Sequence, residues 1–388
     1  MSELIIVRDA NIRKSLLVTV SAFALATYIA ATDTAKAKDA DRPMFWLELG
    51  GQMESLQGTG RPFDAPFMAV QPVASPDGAD YVVPPDAYDP SLFGRVLRPL
   101  RNAFGLEGKV LFQPEASDWT FSAAIRYGRA KTSRHEHEQG PSPYKYFSNP
   151  IIGKRKIPLY AAEFADAEQS AAESHMLLDF QVGKDVGLGV FGRNGTSNVA
   201  VGVRIAQMSS ASNANAGARP EVWHVAQYAN FYQYKLIAEQ QRSFHGIGPS
   251  LAWNASTALL GDKDDAELSF DWGVNGAVLF GRQKAHVSHF TSGAHITHKP
   301  RVGSVAAHFT YNPIYTPVDV DTTRTRSVTI PNLGVFAGLS VRYPNAKVSV
   351  GYRADMLFGA MDTGIDGHHS QNVGFHGPFA TINIGLGG

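Results

Sequence analysis

The segment at residues 268–280, LSFDWGVNGAVLF, decides the fold because its side chains alternate in character throughout. The even-numbered positions are Leu, Phe, Trp, Val, Gly, Val and Phe, whereas the odd-numbered positions are Ser, Asp, Gly, Asn, Ala and Leu. A period of two predicts a β-strand with one apolar face. Strands in soluble proteins average ~5–6 residues, and a strand tilted across a bilayer needs ~9–11. The length of this segment therefore favours a membrane-spanning strand.

The same alternation recurs along the chain and predicts about ten strands. Residues 119–128 and 199–206 repeat it clearly, and 333–343 with 348–358 form a long hairpin around Pro344 and Asn345. The remaining alternating segments are residues 45–49, 106–112, 176–182, 243–253 and 380–386.

The connections between these segments alternate in length. Four of them, at residues 114–118, 183–198, 254–267 and 343–346, are short to moderate. The long ones are residues 55–104, 131–173, 209–240, 284–331 and 361–376. Short turns at one end and long loops at the other are typical of outer-membrane barrels. We therefore predict an all-β, transmembrane, antiparallel up-and-down barrel of about ten strands (twelve possible), with long extracellular loops and shorter periplasmic turns.

One stretch within a predicted long loop has a helical composition. Residues 160–174, YAAEFADAEQSAAES, are rich in Ala and Glu and predict a short helix that folds inward or caps the mouth. The competing fold is a secreted sandwich or propeller, because alternation alone does not distinguish it from a barrel. Strand length, and the aromatic residues that bracket the apolar positions, favour the membrane barrel.

The N-terminal segment predicts export. Arg8, Arg13 and Lys14 precede an apolar run at residues 15–31, and Ala35-Lys36-Ala37 provides the small-x-small pattern of a signal peptidase site. We predict a signal peptide at residues 1–37 and one barrel domain at 38–388, located in the bacterial outer membrane. A permanent N-terminal membrane helix is the alternative.

Composition excludes several classes of function. The chain has 388 residues and no Cys, which excludes disulfides and thiolate chemistry. Its 35 basic residues balance 35 acidic ones, so no excess positive charge points to a nucleic-acid partner. Several histidines, such as His135 and His137, are spaced like metal ligands, but they lack Cys or clear carboxylate partners, and we predict no cofactor and no metal.

Five runs carry a resemblance to a known family: VGKDVGLGVFG (182–192), SFHGIGPSLAW (243–253), DWGVNGAVLFGRQKA (271–285), YPNAKVSVGYRADMLFGAMDTGID (343–366) and GPFATINIGLGG (377–388). They resemble the pore-forming outer-membrane proteins of the Legionella major outer membrane protein type. The resemblance covers most of the chain from about residue 171 and implies a signal peptide, a β-barrel and a porin-like role. The terminal Leu386-Gly387-Gly388 departs from the aromatic end that the barrel-insertion machinery commonly recognises.

Along each strand, the residues that alternate with the apolar ones would face the lumen. The predicted lumen-lining residues are Glu107, Lys109, Arg126, Asp179, Arg204, Asp271, Asn275, Arg342, Arg353 and Asp355, with Gln181 and Lys347 on the same side. These charges either line a hydrated pore or pair into a network that fills a narrow barrel, because ten to twelve strands lie between a filled interior and an open channel.

We predict a non-enzymatic, porin-like channel for small solutes or ions. A closed structural or adhesive barrel is the alternative, and a barrel hydrolase is a further one. The expected partners are outer-membrane lipid, the transported solutes or ions and the insertion machinery. The sequence leaves the oligomeric state open.

Overall fold

The computed structural model describes residues 45–58, 102–114, 117, 119–141, 161–186, 195–222, 229–261, 266–299 and 308–386. Residues 1–44, which include the predicted signal peptide and its cleavage site, lie outside this range. The described residues form ten strands: β1 Phe45–Gln57, β2 Asn102–Phe112, β3 Trp119–Pro141, β4 Ala161–Asp185, β5 Gly195–Val222, β6 Ala229–Gly261, β7 Glu267–Lys299, β8 His308–Tyr343, β9 Ala346–Asp362 and β10 Ser370–Leu386.

These strands close into one antiparallel up-and-down barrel. Each strand pairs with its neighbours in sequence, and β1 pairs with β10 from Phe45 opposite Leu386 to Gln57 opposite Gly374. The start of β1, the end of β10 and the tight turn at Pro344 and Asn345 lie at the same end of the barrel, which we call the short-turn end. The prediction of an all-β barrel with ten strands is confirmed.

The apolar positions face outward. On β7, Val274 is 38% exposed and Phe280 is 57% exposed, although both are large and apolar. Other strands also carry exposed apolar side chains at outward-facing positions. Together with those on β7 they form what we call the apolar belt: Leu49, Leu106, Phe121, Val201, Leu251, Val274, Phe280, Leu339, Val350 and Ile382. Such a band on the outside of a barrel is the arrangement that suits a lipid environment. No helix in the described part of the chain has the length and apolarity needed to cross a bilayer.

Several predicted long loops are strands in the structure. Much of the predicted loops 131–173, 209–240 and 284–331 belongs to strands β3–β8, which continue far beyond the apolar belt. The predicted helix at 160–174 is also wrong, since residues 162–174 lie in β4 and pair with both β3 and β5. Backbone hydrogen bonds to a strand on each side hold this segment in the sheet. They outweigh the helix propensity of Ala and Glu, because intrinsic helix propensities differ by less than ~1 kcal/mol per residue.

Strand length therefore varies strongly around the barrel. β2 has 11 residues, whereas β8 has 36. Strands β3–β8 rise above the others as a curved sheet, which we call the tall wall. Within the described residues, β3 has no β2 partner beyond Arg129, and β8 has no β9 partner before Asn332. Across the part of the chain that the structure describes, the tall wall thus has two edges without a paired strand.

Candidate functional site: the lumen

Charged side chains on opposite walls meet across the lumen. Arg126 on β3 donates two hydrogen bonds to Asp355 on β9, at 2.5 and 3.2 Å. Because β3 and β9 are not neighbours in the barrel, this contact must pass through the interior. The Asp355 side chain is fully buried, so Arg126 replaces the contacts with water that this carboxylate lacks.

Arg204 on β5 organises the most buried part of this network. Its Nε and Nη2 donate to the two carboxylate oxygens of Asp179 at 2.6 and 2.9 Å, and Nη1 donates to Asn275 at 2.8 Å. Nη1 also donates to Asn332, whose own amide donates to the Met356 carbonyl at 3.0 Å. Arg204 is only 2% exposed, and its hydrogen bonds link strands β4, β5, β7 and β8.

Two further pairs lie nearer the short-turn end. Arg353 is paired with Glu107 across the lumen and lies over the Phe379 ring at 4.6 Å. Lys347 and Asp271 are 2.6 Å apart. Together with the Arg126 and Arg204 contacts, these pairs form what we call the ion-pair layers.

Lys109 and Arg342 differ from the other predicted residues. They line a cavity of about 240 Å³ at the short-turn end, together with Trp46, Glu48 and Lys347. Within the described part of the chain, neither forms an ion pair. At this cavity the predicted lumen-lining residues border space that can hold water.

Directly above the ion-pair layers, a cluster of apolar side chains lies in the lumen. Leu177, Phe244, Leu279, Leu357 and Phe375 are each no more than 1% exposed and belong to one contiguous cluster. They come from five different strands, β4, β6, β7, β9 and β10. We call this cluster the apolar plug. Its side chains are buried against one another inside the barrel, as expected for a barrel closer in size to eight strands than to sixteen.

A histidine–glutamate pair borders the apolar plug. His175 Nε2 lies 3.3 Å from Glu54 Oε1, both side chains are 4% exposed, and the His175 ring stacks on Phe375 at 4.0 Å. Gly128 makes room for this pair, since a Cβ there would lie 2.2 Å from the His175 ring and 2.4 Å from the Glu54 carboxylate. A side chain at position 128 is therefore incompatible with the observed pair.

The connection between β9 and β10 folds into the mouth of the barrel opposite the short-turn end, which we call the outer mouth. Arg324 on β8 donates to the carbonyls of Gly364 and Ile365 at 2.6 and 2.8 Å, and Arg242 on β6 donates to the Thr363 carbonyl at 3.0 Å. Asp362 accepts hydrogen bonds from Arg324 and from two backbone N–H groups. Burial alone would raise the pKa of Asp362, but these hydrogen bonds lower it.

Glu173 and Arg242 occupy the mouth beside this turn. Burial raises the pKa of Glu173 to about 7, although a hydrogen bond from Ser210 at 3.2 Å and the charge of Arg242 oppose the shift. Burial also lowers the pKa of Arg242 to about 10 against the attraction of Asp362. Both groups lie beyond the apolar belt, since the outward neighbours of Glu173 on β4 are Ser174 and Ala172.

The ten predicted lumen-lining residues all lie on the inner side of the barrel, and eight of them are paired or hydrogen-bonded. Their role as the lining of a pore remains a prediction. Sequence reasoning missed Asn332 and the His175–Glu54 pair, although alternation puts all three on the inward side. It also missed the apolar plug, because Leu177, Leu279 and Leu357 fall on positions at which the alternation predicts a polar lumen.

No bound metal is indicated by the geometry of the described residues. Among them, no group of three or more His, Asp or Glu side chains is arranged to hold an ion. His135 and His137 both approach Asp166, at 2.5 and 4.0 Å, on the exposed outer surface of the tall wall.

Comparisons with known proteins add little. The sequence matches no family profile and no curated protein. Among solved structures, a deletion mutant of the TodX monoaromatic hydrocarbon channel is 7% identical with a TM-score of 0.22, and the comparison covers 90% of this chain and 91% of that one. A bacterial polysaccharide outer-membrane secretin is 9% identical with a TM-score of 0.19, over 90% of this chain and 100% of that one.

The transport unit of the Escherichia coli autotransporter AIDA-I is also 9% identical, with a TM-score of 0.17 over 94% of this chain and 97% of that one. Scores of this size carry no argument about function. What the chain's own geometry defines is a class: a closed, ten-stranded antiparallel β-barrel with an apolar outer belt and a lumen packed with side chains.

Proposed function

We propose that the protein is a non-enzymatic integral barrel of the bacterial outer membrane. Its membrane part acts as a closed anchor that holds the tall wall outside the bilayer. This is the structural or adhesive alternative from the sequence, and the apolar plug is the observation that carries it.

The membrane location is supported by the apolar belt. Leu251 and Val350, for example, are 55% and 59% exposed. Exposing apolar side chains in this way is unfavourable in water, whereas the acyl chains of lipid would cover them. A barrel also leaves no unpaired strand edge within the bilayer, because β1 and β10 close the sheet.

The closed lumen is supported by two successive barriers. The ion-pair layers join opposite walls directly, and above them the apolar plug puts buried hydrocarbon side chains from five strands into the lumen. An ion that entered the plug would lose its hydration without gaining a protein ligand, which costs several kcal/mol.

Conductance in a planar bilayer tests this proposal. We expect the purified wild-type barrel to insert without giving stepwise ion current. The variant Phe244→Ala/Leu279→Ala removes two side chains of the plug and should give measurable current, provided that its gel migration still shows a folded barrel. Leu251→Ala/Val350→Ala, which removes comparable apolar groups from the outer face, serves as the control and should remain silent. A wild-type protein that conducts would overturn the closed anchor.

A porin-like channel for small solutes or ions is the second candidate. The observation that favours it is the cavity at the short-turn end, where Lys109 and Arg342 face water without ion-pair partners in the described chain. The resemblance to the Legionella major outer membrane protein type supports the same reading. Under this candidate the wild-type barrel conducts, and Lys109→Gln/Arg342→Gln shifts its reversal potential toward cations.

A further inference from the structure

Basic side chains stand on the outer face of the barrel directly beyond the apolar belt. On β3, Arg129 and Lys131 follow Tyr127, which is 39% exposed, and on β7, Arg282 and Lys284 follow Phe280. Because side chains two apart share a face, all four project outward along the same line as the belt residues. We call them the β3 pair and the β7 pair.

The neighbours of the β7 pair on the adjacent strands carry no negative charge. Arg282 lies opposite His245 and Ser327, and Lys284 lies opposite Ser243 and Thr325. The nearest outward-facing carboxylates on β6 and β8 are Glu239 and Asp321. Each lies four residues further from the apolar belt than the residue opposite Lys284. The β7 pair therefore has no internal counter-charge at its own level.

The β3 pair has a similar environment. Arg129 lies opposite Phe104 and Ser174, and Lys131 lies opposite Ala172. Within the described part of the chain, none of the four basic residues forms an ion pair, and all four are exposed.

The other rim of the apolar belt is different. Among the described residues at the short-turn end, Lys184 is the one basic side chain that faces outward, and it lies over the Trp119 ring at 5.7 Å. Outward positive charge is thus concentrated at one rim of the belt, the rim from which the tall wall rises. Under the proposed function this rim meets the outer leaflet.

We infer that the β3 and β7 pairs bind the phosphate groups of phosphorylated lipid in the outer leaflet. This inference rests on the proposed membrane location. An Arg fork can bind two phosphate oxygens at once and a neighbouring Lys adds a mobile positive charge. Lipid is the source of phosphate that fits, because each pair adjoins exposed apolar surface that acyl chains of the same molecule would cover.

Lipid titration of the folded barrel in zwitterionic detergent tests the inference. The probes are a diphosphorylated acylated glycolipid, the same glycolipid after dephosphorylation, and inorganic phosphate, with bound molecules counted by native mass spectrometry. We expect tight binding of the phosphorylated glycolipid alone. Arg282→Gln/Lys284→Gln and Arg129→Gln/Lys131→Gln should each weaken binding at their own site by about fivefold for each charge removed.

The matched control is Lys184→Gln/Lys235→Gln, which also removes two outward positive charges but away from this rim. Its affinity for the phosphorylated glycolipid should equal that of the wild type. Equal binding of the dephosphorylated glycolipid, equally tight binding of inorganic phosphate, or an equal loss in the control would overturn the inference. Failure of the wild type to insert into phosphatidylcholine vesicles would instead overturn the proposed membrane location, and this measurement is made first.

Discussion

The ion-pair layers and the apolar plug occupy the same lumen, but different physical interactions hold them together. In the layers, each charge has one or two specific partners, such as Asp179 with Arg204 or Asp355 with Arg126, and hydrogen-bond geometry fixes them. In the plug, side chains such as Leu357 and Phe244 make non-directional contacts with many neighbours. The layers therefore depend on the presence of particular partners, whereas the plug depends on total volume.

This difference predicts two kinds of response to substitution. Removing one member of a buried pair leaves the other charge without compensation, so the effect on stability is large and nearly independent of the replacement. Trimming the plug should have an effect graded by the volume that is lost. The predictions that follow test this contrast, beginning with the largest expected effect.

Arg204→Gln should destabilise the barrel most. It leaves Asp179 buried without its guanidinium partner, and we expect the free energy of unfolding in detergent to fall by about 3–5 kcal/mol. Urea titration followed by tryptophan fluorescence measures this loss. The double variant Arg204→Met/Asp179→Leu removes both charges and should recover most of the stability. If Arg204→Gln were no worse than the outward Arg282→Gln, the ion-pair layers would not be stabilising.

Leu357→Ala in the apolar plug should come next. We expect a loss of about 2–5 kcal/mol in the same urea titration, because the site leaves a cavity. Leu357→Met keeps the volume and should cost less than about 1.5 kcal/mol. Equal effects of the two replacements would contradict the view that the plug depends on volume.

Val274→Arg on the apolar belt probes the outside of the same wall. Near the middle of a bilayer an outward Arg costs about 2–4 kcal/mol, so the variant should fold poorly into phosphatidylcholine vesicles. In detergent, where the side chain can reach water, its stability should approach that of the wild type. Val274→Leu is the control and should insert normally. Normal insertion of Val274→Arg would show that position 274 does not face lipid.

Glu173 should give a smaller, pH-dependent effect at the outer mouth. Because its pKa is raised to about 7 when folded, the folded state holds this proton longer than the unfolded state does. The free energy of unfolding should then decrease as pH rises from about 4.5 to 7, by on the order of 2 kcal/mol. Urea midpoints across this range measure the slope, and Glu173→Gln should flatten it. An unchanged slope in the variant would assign the pH dependence to another group.

Sequence reasoning could find the strands because alternation is a local signal. Residues 268–280 show it without any knowledge of their partners, and the structure has β7 there. The partners across the lumen could not be found in this way. Arg126 and Asp355 are 229 positions apart, and their contact is a consequence of barrel closure rather than of any local pattern.

The tall wall was missed for a related physical reason. Beyond the apolar belt both faces of a strand can be polar, so residues such as Lys131 and His135 show little contrast between odd and even positions. In β4 the alternation of Ala165, Ala167 and Gln169 with Asp166 and Glu168 is present, but the Ala and Glu content obscured it. The helix prediction for this segment relied on its Ala and Glu content rather than on its period of two, and the period of two correctly indicates a strand.

The tall wall has two edges without a paired strand among the described residues, and these edges bear on how copies of the protein associate. An open strand edge can accept a strand from another molecule and so begin aggregation. The edge of β3 runs through KTSRHEHEQGP, which is dense in charge and ends in Pro141. The edge of β8 contains Pro313 and Pro317, which have no N–H to donate, and β-bulges interrupt its ladder with β7 nearby. Both edges therefore resist the addition of a further strand, and neighbouring barrels can stand close together without joining their sheets.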